Sequence, residues 1–199
     1  SDEVTRFYGS ISATGGDLFG DGGFAEISGK QTLGFYGTAD LGAPFGSVGT
    51  LLLDPGIIDI VNGAAGTGSE DAELGDNEIL FDDAPPANFQ ITNGTLDNST
   101  AAVLLEASDS ILVNAAVNMT EDLSMFAGNT VAINEAVSAS NLTIVGDADF
   151  SLGGGAASDG TGTITFGGSG SLSAGNISLS AGEALDLGDV TATGTLDMT

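Results

Sequence analysis

The sequence predicts an all-β protein, a parallel β-solenoid with about 20 residues per coil. The first observation is the spread of 32 glycines through the 199 residues. Because each glycine inside a helix costs about 1 kcal/mol relative to alanine, long helices are disfavoured. The second is a set of short alternating apolar runs bounded by turn-forming residues, as at 91–96, 103–107 and 177–179, which are typical of brief strands. The third is an internal repeat.

The repeat has a period of about 20 residues. Residues 103–117 align with residues 123–137 so that alternate apolar positions coincide, as do the turn residues Asn114 and Asn134. A looser copy spans residues 179–190. A unit of two or three short strands cannot bury a core by itself, so we expect the units to stack and the two asparagine amides to form a ladder. Roughly ten coils would form a rod about 50 Å long.

Two regions interrupt the repeat in a chain that is otherwise interpreted as a single solenoid over residues 1–199. Residues 62–88 combine seven acids with Pro85 and Pro86, which predicts an acidic loop insertion. Residues 153–162, with the sequence GGGAASDGTG, predict a second, glycine-rich excursion. Neither region is interpreted as a domain boundary.

The charge of the chain is strongly one-sided, because 28 acidic residues stand against Arg6 and Lys30 for a formal net charge of -26. Such a field repels phosphate backbones and anionic bilayers, which excludes nucleic-acid binding, and no apolar stretch approaches the roughly 20 residues that span a bilayer. We therefore expect no membrane insertion. The absence of Cys excludes disulfides and thiolate metal sites. The polar N-terminus does not resemble a signal peptide, so we expect any export signal to have been removed or to lie outside these residues.

Three motifs near the N-terminus occur in a specific order. They are GGFAEISGK at residues 22–30, APFG at 43–46 and GTLLLDP at 49–55, followed by an apolar run at 57–61. This segment resembles filamentous-haemagglutinin-like exoproteins, the adhesins of the two-partner secretion family, and residues 105–115 resemble the repeat of that family's shaft. The resemblance implies a right-handed parallel β-helix, secretion to the extracellular medium or the bacterial cell surface, and adhesion or matrix formation without defined catalytic residues.

The predicted function is a non-catalytic extracellular structural protein. It is the β-helical shaft of such an adhesin, or a subunit of a self-assembling surface filament that supports adhesion or a biofilm matrix. The expected partners are other copies joined end to end, or neighbouring coils of a longer chain, together with host or matrix glycans. An alternative is a carbohydrate- or receptor-binding adhesin module that recognises its ligand through the loop at 62–88.

A third hypothesis is a polysaccharide-degrading β-helix enzyme. It would need a carboxylate pair, such as Asp82 with Asp83 or Asp147 with Asp149. Because the chain has no His and only two basic residues, nucleophile–base pairs and lyase-type bases are nearly unavailable. Solvated turn residues are the simpler interpretation of these acids, so no catalytic residue is predicted.

The acidic loop is the candidate metal site, and calcium is the one cofactor that the sequence suggests. Ca²⁺ takes about six to eight oxygen ligands, and the loop offers many carboxylates on a flexible backbone. The competing interpretation is that the charges only keep the loop solvated. The candidate ligands are Glu70, Asp71, Glu73, Asp76, Glu78, Asp82 and Asp83.

Two further residue sets carry hypotheses. Five asparagines stand in Asn-x-Ser/Thr sequons and are candidates for glycosylation, although turns favour the same residue types. Aromatic residues concentrate near the N-terminus, where we expect burial beneath the first coils rather than an exposed surface for stacking on sugars. The sequon residues are Asn93, Asn98, Asn118, Asn141 and Asn176; the aromatic residues are Phe7, Tyr8, Phe19, Phe24, Phe35 and Tyr36.

Overall fold

A computed structural model describes residues 4–29, 32–35, 38–54, 56–65, 89–149, 156–157 and 160–199. These residues form short β-strands and one five-residue helix, α1. The elements are β1 (Val4–Phe7), β2 (Ser10–Ser12), β3 (Phe24–Ser28), β4 (Thr32–Phe35), β5 (Thr38–Asp40), β6 (Thr50–Asp54), β7 (Ile57–Val61), β8 (Phe89–Thr92), α1 (Asn93–Asp97), β9 (Ala102–Ala107), β10 (Ser110–Val113), β11 (Val117–Asn118), β12 (Leu123–Ala127), β13 (Thr130–Ile133), β14 (Ala136–Ser138), β15 (Asn141–Val145), β16 (Ala148–Asp149), β17 (Ala156–Ala157), β18 (Thr163–Phe166), β19 (Ser171–Ala174), β20 (Asn176–Ser180), β21 (Ala184–Leu185), β22 (Asp189–Ala192) and β23 (Leu196–Met198).

Three sheets of parallel strands contain most of these elements. The seven-stranded sheet has the order β23-β20-β15-β12-β9-β6-β3, the six-stranded sheet β21-β18-β13-β10-β7-β8, and the four-stranded sheet β11-β14-β19-β22. From β9 to β22 the chain enters the seven-, six- and four-stranded sheets in that order four times, interrupted once by the antiparallel pair β16–β17. The predictions of an all-β chain and of parallel strand pairing are confirmed.

The pairing register between neighbouring strands confirms the 20-residue repeat in the middle of the chain. Val103 lies opposite Leu123 in the seven-stranded sheet, and Ile111 lies opposite Val131 in the six-stranded sheet. Elsewhere the spacing is wider, since Thr50 lies opposite Ala102. That wide spacing contains residues 62–88, and the wide spacing between β15 and β20 contains residues 153–162. Residues 66–88 of the first predicted interruption, and residues 153–155 and 158–159 of the second, lie outside the described residues, so the structure of these parts stays a prediction.

The core is built from alternate strand residues that stack in columns along the sheets. One column of the seven-stranded sheet runs through Leu53, Leu105 and Met125, each with no exposed surface, and continues to Ile144 and Leu179. Period-two alternation points these side chains to one face, while their sequence neighbours face outward. Full burial of each such side chain contributes about 1.5–3 kcal/mol, and repetition in register makes the core continuous.

The segment after β8 departs from the sequence prediction. The run at 91–96 was expected to be one strand, but β8 ends at Thr92 and α1 follows. The Asn93 side chain accepts a hydrogen bond from the Gly63 amide at 3.1 Å and donates one to the Ala116 carbonyl at 2.8 Å. These contacts hold the chain in a turn, and Leu96 is buried in the core from the helix instead of from a strand. The strand prediction for this run was therefore wrong beyond Thr92.

The N-terminal aromatic residues divide between core and surface. Phe35 is buried and stacks on the half-buried Phe7 with ring centroids 5.8 Å apart, as expected. The prediction of burial is wrong for Phe19, Phe24 and Tyr8, which are 80%, 63% and 36% exposed. Phe19 lies in a loop and Phe24 begins a strand on its outward side, so neither position points to the core. The predicted residue Tyr36 lies outside the described residues.

Candidate functional site

A ladder of side-chain hydrogen bonds runs along one end of the six-stranded sheet, where Asn114 and Asn134 directly follow β10 and β13. Asn134 Nδ2 donates to Asn114 Oδ1 at 2.8 Å, and Asn114 Nδ2 donates to Asp59 Oδ1, also at 2.8 Å. Gln90 Nε2 contacts the second oxygen of Asp59 at 3.4 Å. The predicted ladder between Asn114 and Asn134 is confirmed, and it ends on a carboxylate that the sequence did not reveal.

A second ladder follows the seven-stranded sheet. Asn176 Nδ2 donates to Asn141 Oδ1 at 2.8 Å, and Asn141 Nδ2 donates to Asp122 Oδ1 at 2.7 Å. The backbone amide of Thr195 donates to Asn176 Oδ1 at 3.0 Å. Each of these hydrogen bonds adds about 0.5–1.5 kcal/mol to the free energy of unfolding and holds the turn of one coil against the turn of the next. The arrangement supports the pairing register of these strands.

Two surface loops near the N-terminus are each closed at their base by the backbone. In the β2–β3 loop, the Gly23 amide donates to the Ala13 carbonyl at 2.8 Å. In the β5–β6 loop, the Gly49 amide donates to the Leu41 carbonyl at 2.7 Å. A Cβ at Gly49 would overlap the Gly23 carbonyl oxygen, so the close approach of the two bases requires glycine there. Both loops therefore have the form of compact Ω-loops.

Further hydrogen bonds join the two loops to each other. The Gly15 amide donates to the Gly42 carbonyl, and the Gly22 amide donates to the Ser47 carbonyl, both at 2.8 Å. The Ser47 amide in turn donates to the Asp21 carboxylate at 2.8 Å. The β5–β6 loop thus lies directly on the β2–β3 loop. Because Ser10 pairs with Thr38 and Phe24 with Thr50, the β2–β3 loop contains two more residues than the loop that lies on it.

The ends of these loops carry exposed apolar side chains, which we call the tip residues: Leu18, Phe19, Pro44 and Phe45. Leu18 is 83% exposed, Phe19 80% and Phe45 70%. Gly20, next to the first pair, has a φ of 125°, a conformation that favours glycine and reverses the chain tightly. Apolar residues held in water on constrained loops are typical of a binding surface.

No protein-family model, curated protein or solved structure matches this chain. The resemblance at residues 20–61 to filamentous-haemagglutinin-like exoproteins therefore stays a prediction. In the structure, its three motifs include the base of the β2–β3 loop with β3, the end of the β5–β6 loop, and β6. In the part of the chain that the structure describes, no helix has the length and hydrophobicity needed to cross a bilayer.

The sequon asparagines hold the surface of the strands and turns together. An N-linked glycan is attached at the Nδ2 atom of asparagine. In Asn141 and Asn176 this atom donates a hydrogen bond to the next side chain of the second ladder. In Asn93 it donates to the Ala116 carbonyl. At Asn98 it donates to the Gly94 carbonyl at 2.6 Å. Asn118 is exposed; its backbone amide donates to the Asp97 carboxylate, and its Oδ1 accepts a hydrogen bond from the Ser138 hydroxyl. Glycosylation at all five stays a prediction.

The seven candidate calcium ligands, which span positions 70–83, lie outside the described residues. Within the described ranges, no group of three or more His, Cys, Asp or Glu residues could hold a metal ion. Of the carboxylate pairs considered for catalysis, Asp82 and Asp83 also lie outside. Asp147 is buried, and its Oδ2 accepts a hydrogen bond from the Gly160 amide at 3.0 Å, so it supports the turn after β15.

Calcium binding by the acidic loop gives a direct prediction. If the loop is a site, calorimetric titration of the whole chain with CaCl₂ releases or absorbs heat and raises the melting temperature, because a ligand that binds only the folded state stabilises it. The variant Asp82→Asn/Asp83→Asn should weaken binding, whereas Asp186→Asn, an exposed acid elsewhere, should not. Absence of any heat at millimolar Ca²⁺ would leave solvation as the role of these acids.

A pocket of about 330 Å³ is lined by core residues together with more exposed residues such as Thr38 and Asn98. Its walls include Phe35, Leu51, Leu53, Leu96 and Val103, which are buried apolar residues of β4, β6, α1 and β9. None of its described lining residues is charged. Sequence patterns do not reveal this pocket, because its lining residues come from β4, β5, β6, β8, α1 and β9, which are spread widely along the chain.

Proposed function

We propose that this chain is part of an extracellular β-solenoid, a right-handed parallel β-helix that serves as a rigid shaft. The observation that carries the proposal is the repeated passage of the chain through the same three sheets in the same order. Each passage advances every sheet by one strand, which is about 4.8 Å. A chain that repeats this path coils around a common core, and a right-handed path is the usual hand of parallel strand connections.

A structural role is supported by the hydrogen bonds that join successive coils. Backbone hydrogen bonds run along the shaft in all three sheets, and the side-chain ladders on Asp59 and Asp122 reinforce them at two corners. The chain lacks His and Cys, the residues most often used as bases and nucleophiles. These features support a non-catalytic protein, and the resemblance at residues 20–61 supports secretion, adhesion and a place in a bacterial surface filament or biofilm matrix.

The exposed outer strand β23 supports the proposed partners of the shaft. Leu196 pairs with Ile177 and Met198 with Leu179, so both continue buried columns, yet they are 43% and 46% exposed. A further parallel strand laid on β23 would cover them. That strand belongs either to neighbouring coils of a longer chain or to a second copy stacked end to end.

The proposal is tested by locating the protein in its native cells. Antibodies raised against the purified chain, used with gold labelling in electron microscopy of the native cells, are expected to mark the cell surface or extracellular filaments. Cells lacking the gene serve as the control for specificity and are expected to attach less to surfaces. Label confined to the cytoplasm would overturn the extracellular proposal, whatever the shape of the purified protein.

A second candidate function is recognition of a carbohydrate or a receptor by an adhesin module. The observation that favours it is the exposure of the tip residues on constrained loops, which a pure shaft does not require. The acidic loop at 62–88 is the other candidate recognition element. No comparable observation favours the third hypothesis, a polysaccharide-degrading enzyme. Asp147, one of its candidate carboxylates, is buried in a turn.

A further inference from the structure

We propose that the tip residues form a binding platform for uncharged oligosaccharides. The inference deepens the second candidate function and rests on it. The platform consists of Leu18 and Phe19 at the end of the β2–β3 loop, and of Pro44 and Phe45 at the end of the β5–β6 loop. Its ligand is the apolar face of a sugar ring laid across the two phenyl side chains.

The ends of the two loops lie side by side. A Cβ at Gly46 would overlap the Gly20 carbonyl oxygen, so these two backbones touch. Phe19 and Phe45 directly precede these glycines in their loops. The two exposed phenyl side chains therefore belong to loop ends that are in contact, and one extended ligand can reach both.

The platform is held in place before any ligand arrives. Both loops are closed at their bases by backbone hydrogen bonds, and Asp21 ties the first loop to the Ser47 amide of the second. A constrained surface loses little conformational entropy when it binds. The exposed apolar side chains gain from leaving water, which is the force that drives stacking on the carbon-bound hydrogens of a sugar.

The charge around the tips selects among possible partners. Asp17 and Asp21 flank Leu18 and Phe19, and neither loop contains Lys or Arg. Carboxylates accept hydrogen bonds from sugar hydroxyls but repel sulfated or uronic-acid glycans and anionic lipid headgroups. An uncharged oligosaccharide satisfies both the apolar rings and the acceptors.

The test uses the whole chain and neutral hexasaccharides as probes. Cellohexaose, chitohexaose and maltohexaose are titrated by calorimetry against the wild type and against Phe19→Ala/Phe45→Ala. We expect at least one probe to bind and the double variant to lose about tenfold or more in affinity, with an unchanged circular dichroism spectrum. The variant Phe19→Trp/Phe45→Trp should retain binding, because indole rings stack on sugars as well. Leu187→Ala, an exposed apolar residue on a distant strand connection, is the matched control.

Three outcomes would overturn the platform. They are no binding of any neutral probe by the wild type, equal binding by the Phe19→Ala/Phe45→Ala variant, and binding only to phosphatidylcholine vesicles. A further variant, with residues 66–88 replaced by a short Gly-Ser linker, distinguishes a wrong binding site from an absence of glycan recognition by the chain. If that variant loses oligosaccharide binding while the double phenylalanine variant keeps it, the chain recognises glycans through the acidic loop and the tip residues do not take part.

Discussion

Replacement of Leu105 by alanine is expected to lower the free energy of unfolding by about 2–5 kcal/mol. Leu105 has no exposed surface, and it stacks between Leu53 and Met125 in the central column of the seven-stranded sheet. Removing its branched side chain leaves a cavity at a point where strands on both sides are fixed by backbone pairing, so the core cannot close around it. The change is measured by urea unfolding followed by circular dichroism in the β-sheet region.

Leu104→Ala is the matched control, since it makes the same chemical change one residue earlier in the same strand. Leu104 faces outward and is half-buried, so its replacement should cost less than about 1 kcal/mol. The contrast between the two variants tests the alternation of β9 and its register on β12. Equal losses, or a larger loss for Leu104, would mean that the strand is turned over or shifted by one residue.

The central register could be predicted from the sequence because two successive copies have the same length. Val103 and Leu123 are separated by 20 residues and pair directly, and the Asn114–Asn134 ladder follows from the same spacing. Asp59, the acceptor at the end of that ladder, lies 55 residues before Asn114. The acidic loop intervenes, so no fixed period connects the two residues, and only the folded chain shows that they meet.

The exposed tips could not be predicted because hydrophobicity indicates what a side chain prefers, not where the backbone places it. Phe19 and Phe45 have apolar side chains of the kind that usually lie in a core, yet hydrogen bonds at the loop bases hold them in solvent. The helix at Asn93–Asp97 escaped prediction for a similar reason. Its apolar residue Leu96 fits a strand pattern, while contacts from Asn93 to distant backbone groups decide the local conformation.

Replacement of Asn114 by aspartate is expected to cost about 1–3 kcal/mol of unfolding free energy at pH 7, more than Asn114→Ala. Asn114 Nδ2 donates to Asp59 Oδ1 at 2.8 Å, and an introduced carboxylate would replace this donor by a second negative charge. Asn134→Asp is the matched control, because its partner in the ladder is the neutral amide of Asn114. Its cost should therefore be smaller, as measured by urea unfolding of both variants.

The electrostatic origin of this loss fixes its dependence on pH and salt. Repulsion at position 114 requires the introduced carboxylate to be ionised, so the deficit relative to the wild type is full at pH 7 and shrinks as the pH falls through about 4, the ordinary range for an aspartate side chain. A protonated acid can also donate to Asp59 as the amide did. Because Asn114 is exposed, about 1 M NaCl should reduce the deficit at pH 7 as well. A deficit that is equal at pH 7 and pH 4 would show that lost packing, not charge, weakens the variant, and the ladder would then add no electrostatic specificity to the register of the six-stranded sheet.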